Sequence, residues 1–261
     1  MKLSIVMPAY NEEKRIGSTL EAYATLFDNL VKQKKLDYQI LVVINGTTDK
    51  TREVVSKISK KYNKIKWIES VRRGKGFAIM EGFKKSLEEN FELIGFVDAD
   101  MATPPEAYYA LVKNINNYDG IIGSRWVNGA KVSKRTFLRA ILSKGFNTIV
   151  RILFLIKQRD TQCGAKIFKN KVIKKIINEL YSTEWAFDVN LLYLCKRYNF
   201  KIKEFPTIWT DKEDSKIEIM KTPVQMFSGV LRLRLMYSIF EPLLRPIKFI
   251  LRIGDRLFNR K

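Results

Sequence analysis

Four short apolar runs, at residues 3–7, 38–44, 65–68 and 93–97, alternate with helix-length stretches at 12–34, 49–60 and 75–89. No other feature constrains the chain as much. Runs this short and this uniformly apolar belong to strands covered on both faces. Strands separated by helix-length segments are joined by crossovers, which makes neighbouring strands parallel. The expected fold is therefore α/β, with a mostly parallel central sheet. In such a sheet ligands bind beyond the carboxyl ends of the strands. The loops at 8–13, 45–49, 72–76 and 98–103 all follow strands and should converge on one cleft.

Beyond residue 120 the pattern loosens. A short strand at 121–122 runs into Gly123-Ser124-Arg125, residues 136–157 read as one long basic and apolar helix, and 165–168 and 202–209 read as further strands. Strand signals stop near Lys216, and from Pro223 on the chain reads as helical, apolar and basic. The expected organisation is one domain at 1–216 and a helical extension at 217–261. On a helix over 246–260, Ile247, Ile250, Leu251, Leu257 and Phe258 share a face opposite Lys248, Arg252 and Arg256. A basic amphipathic helix of this kind suits an anionic membrane interface. Packing on the domain or against a second copy is the competing reading.

Composition adds exclusions. The chain has no histidine, which removes a Ser-His-Asp triad, a His-ligated metal and a His general base. Its two cysteines, Cys163 and Cys195, stand far apart, which argues against a disulfide framework and fits a reducing compartment. With 48 Lys and Arg against 27 Asp and Glu, the net charge of +21 calls for an anionic partner: nucleic acid, anionic lipid or a phosphorylated substrate. No nucleic-acid reader module is recognisable, and basic and aromatic residues do not interleave as in a stacking platform. No apolar run approaches the roughly 20 residues that span a bilayer. The first residues lack the pattern of a signal peptide, so a cytoplasmic, peripheral protein is expected.

Three local patterns carry chemistry. Asp98 and Asp100 flank Ala99 at the end of an apolar strand, where both carboxylates can reach a cleft. Hard divalent cations such as Mg²⁺ or Mn²⁺ take carboxylate oxygens and share them with substrate phosphates. Read locally, the same pair also suits a solvated turn that caps the helix starting near Pro104. The run PAYNEE at 8–13 places Tyr10 to flank a base and Glu12 to accept from a ribose hydroxyl; it equally suits a helix start with Asn11 as N-cap. Arg72, Arg73 and Lys75 among Gly74 and Gly76 suit phosphate or a nucleotide edge, or an exposed basic turn. Further on, Arg139, Ser143 and Asn147 recur every four residues and so form one polar stripe on a helix.

In this order, PAYNEE, NGTTDKT, RRGKGFAIMEG, DADMAT and GSRW resemble the family 2 glycosyltransferases with the GT-A fold, over about residues 3–216. The stretches DTQCGAKIF at 160–168 and WAFDV at 185–189, with Ile208-Trp209-Thr210 and Ser215-Lys216, resemble the dolichyl-phosphate β-glucosyltransferases within that family. The resemblance implies an inverting, metal-dependent transfer of glucose from UDP-glucose to a polyprenyl or dolichyl phosphate. It implies that Pro8, Tyr10, Glu12 and Lys75 hold the nucleotide sugar. It gives Asp98 to ribose and metal, and makes Asp100 the main metal ligand. Arg125, Arg139 and Ser143 would hold the acceptor phosphate, and Trp185 and Asp188 would face the donor sugar. One departure concerns the base. Where the family has two aspartates after the second strand, this chain has Ile44-Asn45, and Asn45 would meet uracil through its amide.

Overall fold

A computed structural model describes residues 1–70, 72–133, 137–181, 186–210 and 221–237; for 137–141 and 221–225 it describes the backbone. Trp185, the Ser215-Lys216 pair and the 246–260 helix lie outside the described residues.

The first half alternates strand and helix as the apolar runs require. The elements are β1 (Lys2–Ala9), α1 (Ile16–Lys32), β2 (Asp37–Ile44), α2 (Thr51–Lys61), β3 (Ile65–Glu69), α3 (Lys75–Glu88), β4 (Leu93–Val97) and α4 (Pro105–Lys113). There follow β5 (Gly120–Ser124), β6 (Lys131–Val132), α5 (Phe137–Phe154), β7 (Ala165–Lys169), α6 (Asn170–Ile176), α7 (Phe187–Arg197), β8 (Ile202–Pro206), β9 (Ile208–Trp209) and α8 (Lys221–Met236). Seven strands form one sheet in the order β3-β2-β1-β4-β7-β5-β8. Every pairing in it is parallel except those of β7, which runs antiparallel to both β4 and β5.

Alternate residues of the central strand feed two cores. Leu3, Ile5 and Met7 of β1 pack with α1 and α4 on one side, while Val6 packs with α3 on the other. On that second side Gly82 lets α3 lie directly on β1, because a Cβ there would fall 2.4 Å from the Val6 side chain. Ser4 would be an orphan polar group in this interior, but its hydroxyl meets that of Ser86 at 2.7 Å.

Several boundaries differ from the sequence expectation, each for a local reason. Helix α1 starts at Ile16 rather than 12, because Asn11 adopts a left-handed φ of 53° and turns its side chain to the next loop. Helix α2 starts at Thr51, with Asp49 accepting from the Thr51 amide at 2.9 Å. The helix expected over 136–157 ends at Phe154, where Leu155 reverses the chain at φ 51°. The run at 202–209 is two strands: β8 closes the large sheet and β9 leaves it at Thr207 to pair with β6. In the expected extension, α8 buries Val230 and Leu233 in the same core as α5 and α7. Tyr237 adds a ring contact to Tyr193 at 4.6 Å.

Candidate active site

The carboxyl ends of β1, β2 and β4 lie side by side, and the strand order reverses between β1 and β4. That reversal opens a crevice in doubly wound sheets. Hydrogen bonds from α1 hold the loop after β4: Thr19 Oγ1 donates to the Ala99 carbonyl at 2.9 Å and Tyr23 Oη to that of Thr103 at 2.8 Å. Within the loop Met101 takes φ 60°, and the Ala102 amide donates to Asp100 Oδ1 at 2.9 Å.

Asp98 stands opposite Lys75, the first residue of α3, with Nζ and Oδ1 2.5 Å apart. Burial raises the Asp98 pKa, and the negative charges of Asp100 and Asp188 add to it, while Lys75 opposes them. For Lys75 burial works against the charge, yet Asp98 and Asp188 hold its ammonium above the ordinary range. Asp188, at the start of α7, pairs in turn with Lys166 at 2.5 Å. Lys166 is fully buried in β7, and its ammonium also donates to the Cys163 carbonyl at 2.6 Å. Three carboxylates and two ammonium groups thus share one corner, buried at Lys166 and open to solvent at Lys75 and Asp98.

The reversed strand supplies what the sequence reading missed. Because β7 runs backwards, the loop that enters it, not the loop that leaves it, lies beside the end of β4. Asp98 donates its amide to the Gly164 carbonyl at 3.1 Å. A Cβ on Gly164 would lie 1.8 Å from Asp98 Oδ2, so only glycine leaves the carboxylate its place. Nothing in sequence spacing announces this. The glycine in DTQCG was the available signal, and it carries no partner's name.

The residues expected to bind substrate divide into two sets. Those of the first set stand at the ends of β1 and β4 or at the starts of α3 and α7. Tyr10 is half exposed beyond β1, and Lys75, Asp98, Asp100 and Asp188 cluster as described. Pro8 is the penultimate residue of β1. The second set is engaged by the protein itself. Both Glu12 oxygens accept from Arg15, at 2.7 and 2.8 Å, so the carboxylate is oriented by its own turn. Asn45 is buried and its Oδ1 accepts from the Gly74 amide at 2.9 Å, so the loop after β3 already holds this side chain. Arg125 does not project alone into the cleft. Asp160 grips it by Nε and Nη2, both at 2.7 Å, with the Asp160 side chain fully buried. Burial would raise the Asp160 pKa, but the guanidinium holds it below the ordinary range.

The polar stripe is likewise split. Arg139 lies near the start of α5, with its side chain outside the description, and Ser143 is half buried. Asn147 is buried, and its Oδ1 accepts from both the amide and the hydroxyl of Thr161, at 2.9 and 2.8 Å. It anchors a loop and is not part of an anion grip. Asn11 is a similar surprise: it caps no helix but ties loop to loop, accepting from the Thr48 amide at 2.8 Å.

Among the described residues no three acidic or cysteine side chains converge as a metal cage. The donor set is two hard carboxylates, Asp98 and Asp100. That matches a cation which takes one or two carboxylates and completes its shell with substrate phosphates. Lys75 already pairs with Asp98, so a bound cation would share that carboxylate with the ammonium.

Comparison with known proteins agrees with this fold. The model of Glycosyl transferase family 2 matches residues 4–177. A dolichyl-phosphate beta-glucosyltransferase of Dictyostelium discoideum is 34% identical over 246 residues, covering 90% of this chain and 74% of that protein. The human protein of that name is 34% identical over 248 residues, covering 90% and 76%. Among solved structures, glucosyl-3-phosphoglycerate synthase of Mycobacterium tuberculosis, in complex with Mn²⁺, UDP and glucosyl-3-phosphoglycerate, superposes with a TM-score of 0.64 at 16% identity. The superposition covers 88% of this chain and 79% of that one, and the shared architecture is the GT-A fold.

Proposed function

The chain belongs to glycosyl transferase family 2, and from that premise we propose that it moves glucose from UDP-glucose to the phosphate of a polyprenyl or dolichyl carrier at the cytoplasmic face of a membrane. The choice of sugar and acceptor is supported by the relatives' names and identities. The observation that carries the reaction type is the corner of Asp98, Asp100 and Asp188 at the reversal of strand order, with Lys75 between them.

In this reading residues 1–216 hold the reacting groups, and within 217–261 α8 packs on the same core. Tyr10 and the Asn45 amide flank the nucleoside. Asp98 and Asp100 would hold Mg²⁺ or Mn²⁺ against the donor diphosphate, and the ion would supply charge compensation for the departing UDP. Lys75 stands beside the same phosphates as a second cation. Asp188, oriented by Lys166, faces the sugar together with Trp185. Arg139, Ser143 and the outer edge of Arg125 receive the acceptor phosphate from the other side. That phosphate carries about −1.5 to −2 charges at neutral pH, as phosphate monoesters do. Its oxygen attacks the anomeric carbon directly, the bond from that carbon to the diphosphate oxygen breaks, and the configuration inverts to a β-linked lipid-phosphate sugar. An acceptor already ionised needs no strong base, which suits a chain without histidine.

The test is a transfer assay offering UDP-glucose, GDP-mannose and other nucleotide sugars with a polyprenyl phosphate, with and without chelator. The expected result is UDP-glucose transfer that stops in chelator and falls on the order of 100-fold or more in Asp100→Ala. A product with α stereochemistry, or transfer from GDP-mannose alone, would refute the reading.

A further inference from the structure

Arg125 follows β5 with its guanidinium held on two sides, by groups from different parts of the fold. Asp160 holds the side edge: Oδ2 accepts from Nε and Oδ1 from Nη2, both at 2.7 Å. Oδ2 also accepts from the Arg125 backbone amide at 2.9 Å, so one carboxylate fixes the residue from main chain to tip. Asp160 is itself fully buried, and its amide donates to Glu204 Oε1 of β8 at 2.9 Å. Trp209 of β9 covers the planar face, its ring centroid 5.4 Å from Cζ and within reach of cation–π attraction. The backbone around Trp209 is tied on both sides. Its carbonyl accepts from the Ser133 amide at 3.0 Å, and the next residue, Thr210, donates its amide to the Ala102 carbonyl at 3.0 Å.

A guanidinium carries its N–H donors in a flat, rigid fork. The carboxylate uses the Nε edge, and the indole covers a face without using an N–H. What remains is the end edge, where Nη1 and Nη2 present parallel N–H bonds. Among the described residues no hydrogen bond or ion pair occupies Nη1. The side chain is 11% exposed, so it has little freedom to offer any other edge. Parallel N–H bonds of this kind match two oxygens of one phosphate.

From this arrangement we propose that Asp160 and Trp209 are positioning residues that present the end edge of Arg125 to a phosphate monoester. The inference rests on the reading above, in which that phosphate belongs to the acceptor, and adds that the contact works by direction and not by net charge. Arg125 and Asp160 together are a neutral pair, and the two ways of working predict opposite signs. Were Arg125 a point charge, removing the negative charge of Asp160 would strengthen phosphate binding. An aimed fork that loses its support binds phosphate more weakly.

The experiment uses the full chain and a short-chain prenyl phosphate, whose affinity is measured by calorimetry without nucleotide sugar; UDP affinity is measured separately. Asp160→Asn keeps the shape of the side chain but sets an amide NH₂ against the guanidinium. Its prenyl phosphate affinity is expected to fall about tenfold or more, with UDP affinity within about twofold. Arg125→Lys keeps the charge without the fork and should fall similarly, and adding Asp160→Asn to it should lower affinity little further. Trp209→Leu should weaken binding roughly three- to tenfold, and Trp209→Phe, which keeps an aromatic face, should restore most of it. Should Asp160→Asn fail to fold, the half-buried Trp209 carries the same test. Unchanged or raised phosphate affinity in folded Asp160→Asn overturns the inference. So does unchanged affinity in Trp209→Leu, or failure of the unaltered protein to bind the prenyl phosphate. Binding that depends on Asp160 and Trp209, in a protein that transfers no sugar to the prenyl phosphate, would support the positioning and refute the acceptor reading.

Discussion

The two halves of the site are built differently. In the first half each group stands at the exit of a parallel strand, and loops tie to neighbouring loops through neutral or half-open contacts. In the second half the groups gather around β7, which runs against its neighbours, and are locked in ion pairs whose acid or base is buried: Arg125 with Asp160, and Lys166 with Asp188. One half leaves its charges available to a ligand, while the other spends them on holding position. A residue's being charged and near the cleft therefore says little by itself about binding.

Stability should separate the halves most sharply. Lys166→Met removes a fully buried ammonium and strands Asp188, and is expected to cost about 3–5 kcal/mol in urea unfolding. Lys75→Met breaks a pair whose side chains are 39% and 34% exposed and is expected to cost about 1 kcal/mol or less. Equal losses would erase the distinction between locked and open pairs. The dependence of one half on the other is tested next. Gly164→Ala forces a methyl group onto Asp98 and should lower transfer on the order of 100-fold. It should add almost nothing to an Asp98→Ala background, because both changes remove the same carboxylate. Additive losses would mean that Gly164 acts through something other than Asp98.

The acceptor side comes third. A charge-assisted contact to phosphate is worth about 1.5–3 kcal/mol, so Arg139→Ala should raise KM for the lipid phosphate by roughly 10- to 100-fold and leave UDP affinity within about twofold. Lost UDP binding with normal acceptor kinetics would move Arg139 to the donor half. The smallest effect belongs to Asp49, which accepts from the amides of Glu13 and Thr51 and so fastens the loops after β1 and β2. Burial works against its charge, but hydrogen bonds from Thr47 and Thr51 lower its pKa to about 2. Asp49→Ala should therefore cost about 1 kcal/mol at neutral pH. A carboxyl group with a depressed pKa stabilises the fold above its unfolded value, near 4, and loses that contribution as pH falls through 2. The gap between variant and unaltered protein should close across that interval, and a gap constant from pH 5 to 2 would contradict it.

Much of the first half was legible because its signals are local. Apolar runs gave β1 to β4, and the loops after them gave Tyr10, Lys75, Asp98 and Asp100 without reference to anything distant. The same reading was incomplete where a distant or neighbouring partner holds the side chain. Glu12 read as a free carboxylate, but Arg15, three residues on, donates to both its oxygens. Asn45 looked free to read a base, but the Gly74 amide is 29 residues away. The direction of β7 could not be read at all, since an apolar strand carries no arrow in its composition. With that direction unknown, the places of Gly164 and Lys166 were unknown too. Asn11 is the exception that could have been found: asparagine tolerates a left-handed backbone better than most residues, which favours loop over helix start.

The side chain of Asn147 is a rivet. It joins the inner face of α5 to Thr161, three residues before Gly164, through two bonds under 3 Å that no water reaches. Sliding α5 along its axis would shear both at once and leave a buried amide unpaired, at about 1–3 kcal/mol. Helix and loop consequently travel as one stiff part. The loop so held is the one that sets Gly164 against Asp98.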